Sequence, residues 1–164
     1  MTRLTPLLPA LLFLALLLAA VSAQAFDPRT DEEEFEVFGG NDWVTTGFSV
    51  TPEDRVTIRA DGEVCFGHSR YYDSCVGPEG MDRAEFQRRF HGDAEVCDDP
   101  YIHSNHAALI GKLEGGYPYS FGIGGGETFT GKRGTLMLRV NDCTLANNSG
   151  YFIVTVKVEY DVSD

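Results

Sequence analysis

The chain has 164 residues, with 13 Lys and Arg against 25 Asp and Glu, and a formal net charge of −12. That balance excludes nucleic acid and anionic membrane surfaces as partners, because both need clustered basic residues. It leaves open a calcium ion, a neutral sugar or a cationic partner.

Met1–Ala25 carries a single charge, Arg3, followed by a Leu- and Ala-rich run over Ala10–Val21 and the tripeptide Ala23-Gln24-Ala25. A charged start, a short apolar stretch and an A-x-A ending predict a secretory signal peptide. The run is shorter than the roughly 20 residues that span a bilayer, so no membrane anchor is expected. No cysteine follows the expected cut between Ala25 and Phe26, which gives no sign of lipid attachment. Cleavage removes one basic and no acidic residue, leaving 139 residues with 12 basic against 25 acidic, a net −13. The expected product is secreted, extracellular or periplasmic, and of a size for one domain with a real core.

Residues 26–40 contain Asp31-Glu32-Glu33-Glu34 and read as a solvated N-terminal arm, with Phe35, Val37 and Phe38 able to end it as a strand. From Asn41 to Tyr160 the pattern is β. The exported part holds 12 Val against 5 Leu, and 18 of its 139 residues are Gly. This mixture fits short strands and tight turns. Strands are expected at Trp43–Val50, Arg55–Ala60 and Glu63–Phe66, with turns at Pro52-Glu53-Asp54 and Asp61-Gly62.

The alternation stops at Gly67 and resumes near Ala107, so residues 67–106 read as an insertion. One short helix is expected within it, at Met81–Phe90, where Phe86 and Phe90 lie four apart. Strands return at Ala107–Leu113, Tyr119–Ile123, Thr135–Val140 and Tyr151–Tyr160, and 161–164 is a short tail. Seven or eight antiparallel strands without a long helix predict an all-β, small antiparallel sandwich carrying a long irregular insertion.

All four cysteines, Cys65, Cys75, Cys97 and Cys143, lie in the exported part, which in an oxidising compartment predicts two disulfides. Three pairings are possible, and a Cys75–Cys97 bridge would staple the insertion. The cysteine spacings match no zinc pattern, and no catalytic signature flanks any cysteine.

Gly126–Lys132 nearly spells a phosphate-binding loop. Arg133 stands where a magnesium-binding Ser or Thr is needed, however, and no strand-to-helix context surrounds it. Gly-rich hairpin turns account for it better. His103-Ser104-Asn105-His106 could bring two imidazoles to one metal, but lacks a helix or a third ligand and reads as loop histidines. The aromatics of the insertion, Tyr71, Tyr72, Phe90 and Tyr101, suit packing onto the sandwich or a second recognition surface. No nucleophile, base and orienting group cluster together, so no enzyme is expected.

Asn141–Gly150 concentrates oxygen donors: Asp142, Asn147, Asn148, Ser149 and turn carbonyls between two strands. Calcium takes six to eight such oxygens. The same residue types also build turns through side-chain-to-backbone bonds. Asn147-Asn148-Ser149 further spells a glycosylation acceptor, and a glycan there would compete with a metal.

At this segment a resemblance emerges. Trp43…Thr46-Gly47, Pro52-Glu53-Asp54-Arg55-Val56-Thr57-Ile58, Ala60-Asp61-Gly62, Gly77-Pro78-Glu79-Gly80, Ala108-Leu109-Ile110-Gly111-Lys112 and Val140-Asn141-Asp142…Asn147-Asn148-Ser149-Gly150-Tyr151-Phe152 occur in the order that resembles the PA-IL-like bacterial galactose-binding lectins. The likeness spans about Trp43–Val158, and its distinctive part is N-D…N-N-S-G. It implies a galactose-binding-domain-like sandwich that binds Ca2+ and, through it, a carbohydrate such as a galactose-type glycan. Carried onto this chain, the metal ligands would be Asp142, Asn147, Asn148, a carbonyl of Thr144 or Leu145, and the Phe66 carbonyl. Asp142, Asn147 and Cys143 would meet the sugar. Because Cys65 precedes Phe66 and Cys143 follows Asp142, the resemblance also suggests a Cys65–Cys143 bridge beside the ion, leaving Cys75–Cys97.

Two departures stand out. Four residues separate Asp142 from Asn147, where the family has six. The His and Gln that follow the family's G-P-x-G stretch have no match after Gly80. The rival expectation is a secreted structural or interaction sandwich that keeps calcium for stability and has lost sugar binding. The sequence does not specify the oligomeric state.

Overall fold

The computed structural model describes residues 29–67, 74–90, 99–116 and 120–161. The expected signal peptide, Tyr71, Tyr72, Cys97 and the last residues of the tail lie outside them. Among the described residues, no helix is long and apolar enough to cross a membrane.

Two antiparallel sheets face each other as an all-β sandwich. The first contains β1 (Arg29–Phe38), β9 (Ser149–Tyr160), β3 (Arg55–Cys65) and β4 (Cys75–Val76) in that order, with β7 (Gly126–Phe129) also on β3. The second runs β2 (Val44–Val50), β8 (Gly134–Val140), β5 (Leu109–Glu114) and β6 (Phe121–Gly122).

Strict alternation builds the core. On β9, Phe152, Val154, Val156 and Val158 are fully buried, and they face Leu136, Leu138 and Val140 of β8 across the sandwich. Each such side chain contributes about 1.5–3 kcal/mol of burial. The register places β9 between β1 and β3, so the most apolar strand is central.

Three expectations need correction here. The acidic N-terminal segment is no frayed arm: Arg29–Phe38 pairs residue for residue with β9, from Arg29↔Tyr160 to Phe38↔Tyr151. Phe35 and Val37 alternate inward while Glu32, Glu34 and Glu36 face out, and a twelve-residue β9 offers a full-length partner. Asp61-Gly62 makes no turn. Gly62 sits at φ +98° inside an uninterrupted β3, where a Cβ would lie 2.7 Å from the Tyr151 carbonyl oxygen, so glycine serves close strand approach. The insertion is also less irregular than expected, since β4 pairs with the end of β3 and Met81 bridges to His106.

The expected helix is present as α1 (Arg83–Phe90). Asp82 caps it, with Oδ1 accepting from the Ala84 and Glu85 amides at 2.9 and 3.1 Å. Phe86 and Phe90, one turn apart, lay their rings on Phe66 at 5.8 and 5.9 Å. Phe90 therefore serves packing. The remaining expected strands occur within a few residues of their predicted bounds, and β2 carries a bulge between Thr45 and Ser49.

The disulfide pairing is different from either bridge expected. Cys65 is joined to Cys75, which face each other across the β3–β4 pair. Cys143 is also disulfide-bonded, so it is no partner of Cys65, and the sequence's remaining cysteine, Cys97, lies outside the described residues. The reason is local: β4 folds back on β3 directly opposite Cys65, a return that no periodicity announced.

Candidate functional site

The end of β8 and the start of β9 are joined by an eight-residue connection, 141–148, that holds most of the sequence's oxygen-rich segment. Its first two residues do different jobs. Asn141 is fully buried and turns toward the end of the insertion. Its Oδ1 accepts from the Tyr101 amide at 2.9 Å, while Nδ2 donates to the carbonyls of Tyr101 at 3.0 Å, Asn105 at 3.0 Å and Ser104 at 3.4 Å. Main-chain bonds from Ala107 N–H to the Asn141 carbonyl and from Asn141 N–H to the Ala108 carbonyl, both 2.8 Å, complete the clamp.

Asp142 is also buried, with only 3% of its surface exposed. Its Oδ1 accepts from the Thr144 amide at 2.7 Å, a local turn bond. Its Oδ2 lies 3.8 Å from His106 Nε2. His106 Nδ1 meets Asp99 at 3.2 and 3.3 Å. The imidazole is packed between the rings of Phe66 and Phe86, with centroids 4.6 and 4.4 Å away.

A single 3₁₀ turn, Leu145–Asn147, brings the two asparagines round. Asn148 N–H donates to the Leu145 carbonyl at 3.0 Å, and Asn148 Nδ2 donates to the Gly39 carbonyl at 3.1 Å. The second bond fixes which way the Asn148 amide points, so its Oδ1 is turned away from Gly39. Asn147 Oδ1 and Asn148 Oδ1 are both buried and without a hydrogen-bond partner. Two orphaned amide oxygens in successive residues are costly, each forfeiting about 1–3 kcal/mol of solvation.

Phe66 reaches the same end of the sandwich. Phe66 follows the last β3–β9 pair, Cys65↔Ser149, and its ring lies 4.6 Å from that of His106, which faces Asp142. Phe66, Asp142, Asn147 and Asn148 thus share one end of the fold. Thr144 spends its amide on Asp142, and the Leu145 carbonyl is engaged by Asn148. Cys143 sits between the Asp and this turn with its sulfur in a disulfide.

A divalent cation is the group the resemblance implies, and the donor types fit one: a buried carboxylate and, in the same connection, two buried carboxamide oxygens without a hydrogen-bond partner. Two other sequence motifs find structural uses. Lys132 of the Gly126–Lys132 stretch stacks over Phe121 and Phe129 at 4.4 and 4.8 Å, which occupies the one cation a phosphate would need. His103 lies against Tyr101 at 5.4 Å and is separate from the His106 cluster.

Sequence reasoning missed Asp99 and His106 as neighbours of Asp142. Their positions, 99, 106 and 142, follow no motif; the β5–β8 pairing, which reaches Leu109↔Val140, and the Asn141 clamp beyond it bring the segments together. His106 belongs to the stretch that the sequence reads as loop histidines.

The fold has counterparts among known structures. Eight solved chains match it, including the EclA N-terminal domain, a PllA-like lectin. That likeness has a TM-score of 0.56 and 20% sequence identity, and covers 77% of this chain and 95% of that one. The chain is similar in fold to a PllA-like lectin domain. No protein-family model matches it, and no curated protein sequence does.

Proposed function

We propose that this is a secreted, calcium-dependent carbohydrate-binding protein, exported by its Met1–Ala25 segment and without catalytic activity. The observation that carries the reading is the pair of buried, partnerless oxygens, Asn147 Oδ1 and Asn148 Oδ1, in the same short connection as Asp142. Asp142, Asn147 and Asn148 would hold the ion, with carbonyls of Phe66 and of Thr144 or Leu145 completing the protein's share. Calcium bound there would offer its open coordination positions to sugar hydroxyls. The chain's own part is to fix the acceptors beforehand, which spares a neutral sugar the cost of ordering them. Asp142, Asn147 and the Cys143 backbone would supply the direct sugar contacts, and a galactose-type glycan is the first ligand to try.

A structural protein that keeps calcium for stability is the second reading, favoured by the 3% exposure of Asp142. Two measurements divide the cases. An ion that binds only the folded state at a hundred times its Kd adds about 2.7 kcal/mol of stability. Melting should therefore rise by several degrees in millimolar calcium and fall back with a chelator, and Asp142→Ala or Asn148→Ala should abolish that response. No calcium dependence of melting in the wild-type protein refutes the metal. A glycan array with and without calcium then decides the rest: a calcium response with no glycan bound leaves the structural protein.

A further inference from the structure

The His106 cluster is a separate chemical object from the carboxamide turn. Asp99 and Asp142 stand at opposite nitrogens of one imidazole, and one oxygen of each together with a ring nitrogen lie within 4.8 Å of one another. The three side chains are 10%, 12% and 4% exposed for Asp99, His106 and Asp142. Among the described residues, neither carboxylate has a Lys or Arg partner. Arg139, the nearest candidate, gives its guanidinium to the Asp142 carbonyl at 3.1 Å and to Asp42 at 2.9 Å.

We propose that Asp142 Oδ2 and His106 Nε2 form a second divalent-cation site, of the nitrogen-accepting zinc class rather than the calcium class, with Asp99 as the residue that orients His106. Three features argue for it. The 3.8 Å separation of Nε2 and Oδ2 is too long for a hydrogen bond. Donors bound at about 2.0–2.2 Å to one tetrahedral zinc stand roughly 3.4 Å apart, so this pair is within a few tenths of an ångström of the spacing of two such ligands, the remaining positions falling to water or a ligand. The Asp99 contact engages His106 Nδ1 and leaves Nε2, the nitrogen nearer Asp142, to ligate, the supporting role a carboxylate plays at a metal-bound histidine. Finally, two buried carboxylates and an imidazole are neutralised by one divalent ion, while the Phe66 and Phe86 rings keep the surroundings apolar. Calcium, a hard cation, has no use for an imidazole nitrogen; zinc, cobalt and nickel do.

The site goes beyond the calcium reading and shares only Asp142 with it, one carboxylate oxygen for each ion. The test uses the full chelator-treated chain titrated with Co2+, whose visible absorption reports nitrogen and oxygen ligation. One equivalent should bind, be displaced by Zn2+, and survive excess Ca2+. His106→Gln should abolish the absorption, and Asp99→Asn should weaken Co2+ binding about 10–100-fold. His103→Gln, outside the cluster, should leave it unchanged. Far-UV circular dichroism checks that each variant is folded; if His106→Gln is not, Asp99→Asn decides. A folded wild-type chain with no Co2+ spectrum, or equal binding by the wild-type and decisive variant, overturns the site. Cobalt binding without a calcium response upholds this site and removes the calcium reading, while calcium without cobalt does the reverse.

Discussion

Replacing Asn141 with Ala tests whether the oxygen-rich connection and the end of the insertion are one structural unit. The side chain is fully buried and makes three bonds of 3.0 Å or less, one accepted from Tyr101 and two donated to Tyr101 and Asn105. At about 1 kcal/mol net for each, their loss costs about 3 kcal/mol. Water reaching Tyr101 and Asn105, which keep part of their surface, repays some of the stranded groups, while the cavity left by the amide adds to the cost. For a domain of this size that is a fall in Tm of roughly 10 °C. Urea denaturation gives the free energy, and hydrogen exchange gives the location. The Tyr101 amide should lose protection before the β9 core does. A variant less than about 1 kcal/mol weaker than wild type, with Tyr101 still protected, would refute the clamp.

Other predictions follow from the same structure. Non-reducing peptide mapping should find Cys65 linked to Cys75 and not to Cys143; Cys65→Ala with Cys75→Ala should cost about 2–3 kcal/mol, the chain-entropy value for a loop of this length. Asp54→Ala removes a carboxylate that accepts from Thr51 N–H at 2.7 Å, Thr51 Oγ1 at 3.0 Å and Asp161 N–H at 3.0 Å, and should cost about 2–3 kcal/mol by urea denaturation. The Glu159 carboxyl is held below its ordinary value by a hydrogen bond from Lys157, then by the charges of Lys157 and Arg55. Its depressed pKa gives a stability contribution present above the unfolded value and lost as pH falls through the folded one; an NMR titration should show Lys157→Ala moving that midpoint up, and an unmoved midpoint would contradict it.

Much of the sandwich was legible because alternation reports burial directly. Phe152, Val154, Val156 and Val158 announce β9, and Leu136, Leu138 and Val140 announce β8. The misreadings share a cause. The Glu run of β1 is polar on the outward face, so its single-strand signal is that of a solvated arm until β9 supplies a partner. Asp61-Gly62 has turn chemistry, yet its Gly answers to the Tyr151 carbonyl of the neighbouring strand. Cys65 found Cys75 through a two-residue strand too short to carry a pattern. The site was legible where its donors are consecutive, at Asn147-Asn148, and illegible where packing assembles it. Nothing in the spacing of Asp99, His106 and Asp142 places them together; the β5–β8 pairing and the clamp of Asn141 at its end do.

The acidity of the chain sharpens into a contrast between two buried carboxylates. Asp54, 4% exposed, takes three donors from Thr51 and Asp161 and has its lone pairs spent on holding the β2–β3 turn to the end of β9. Asp142, 3% exposed, receives one amide at Oδ1, and at Oδ2 faces only a ring nitrogen 3.8 Å away. Burial of a charge is tolerated when its lone pairs are met. Asp54 meets that condition from within the fold and is structural. Asp142 has fewer donors, and the unsatisfied oxygens of Asn147 and Asn148 stand in the same connection. The connection thus strands two buried amide acceptors, and among the described residues no Lys or Arg side chain reaches the Asp142 carboxylate. On the proposed reading a divalent cation would meet that deficit, which sets this end of the molecule apart from the acidic face of β1, where each Glu is open to water.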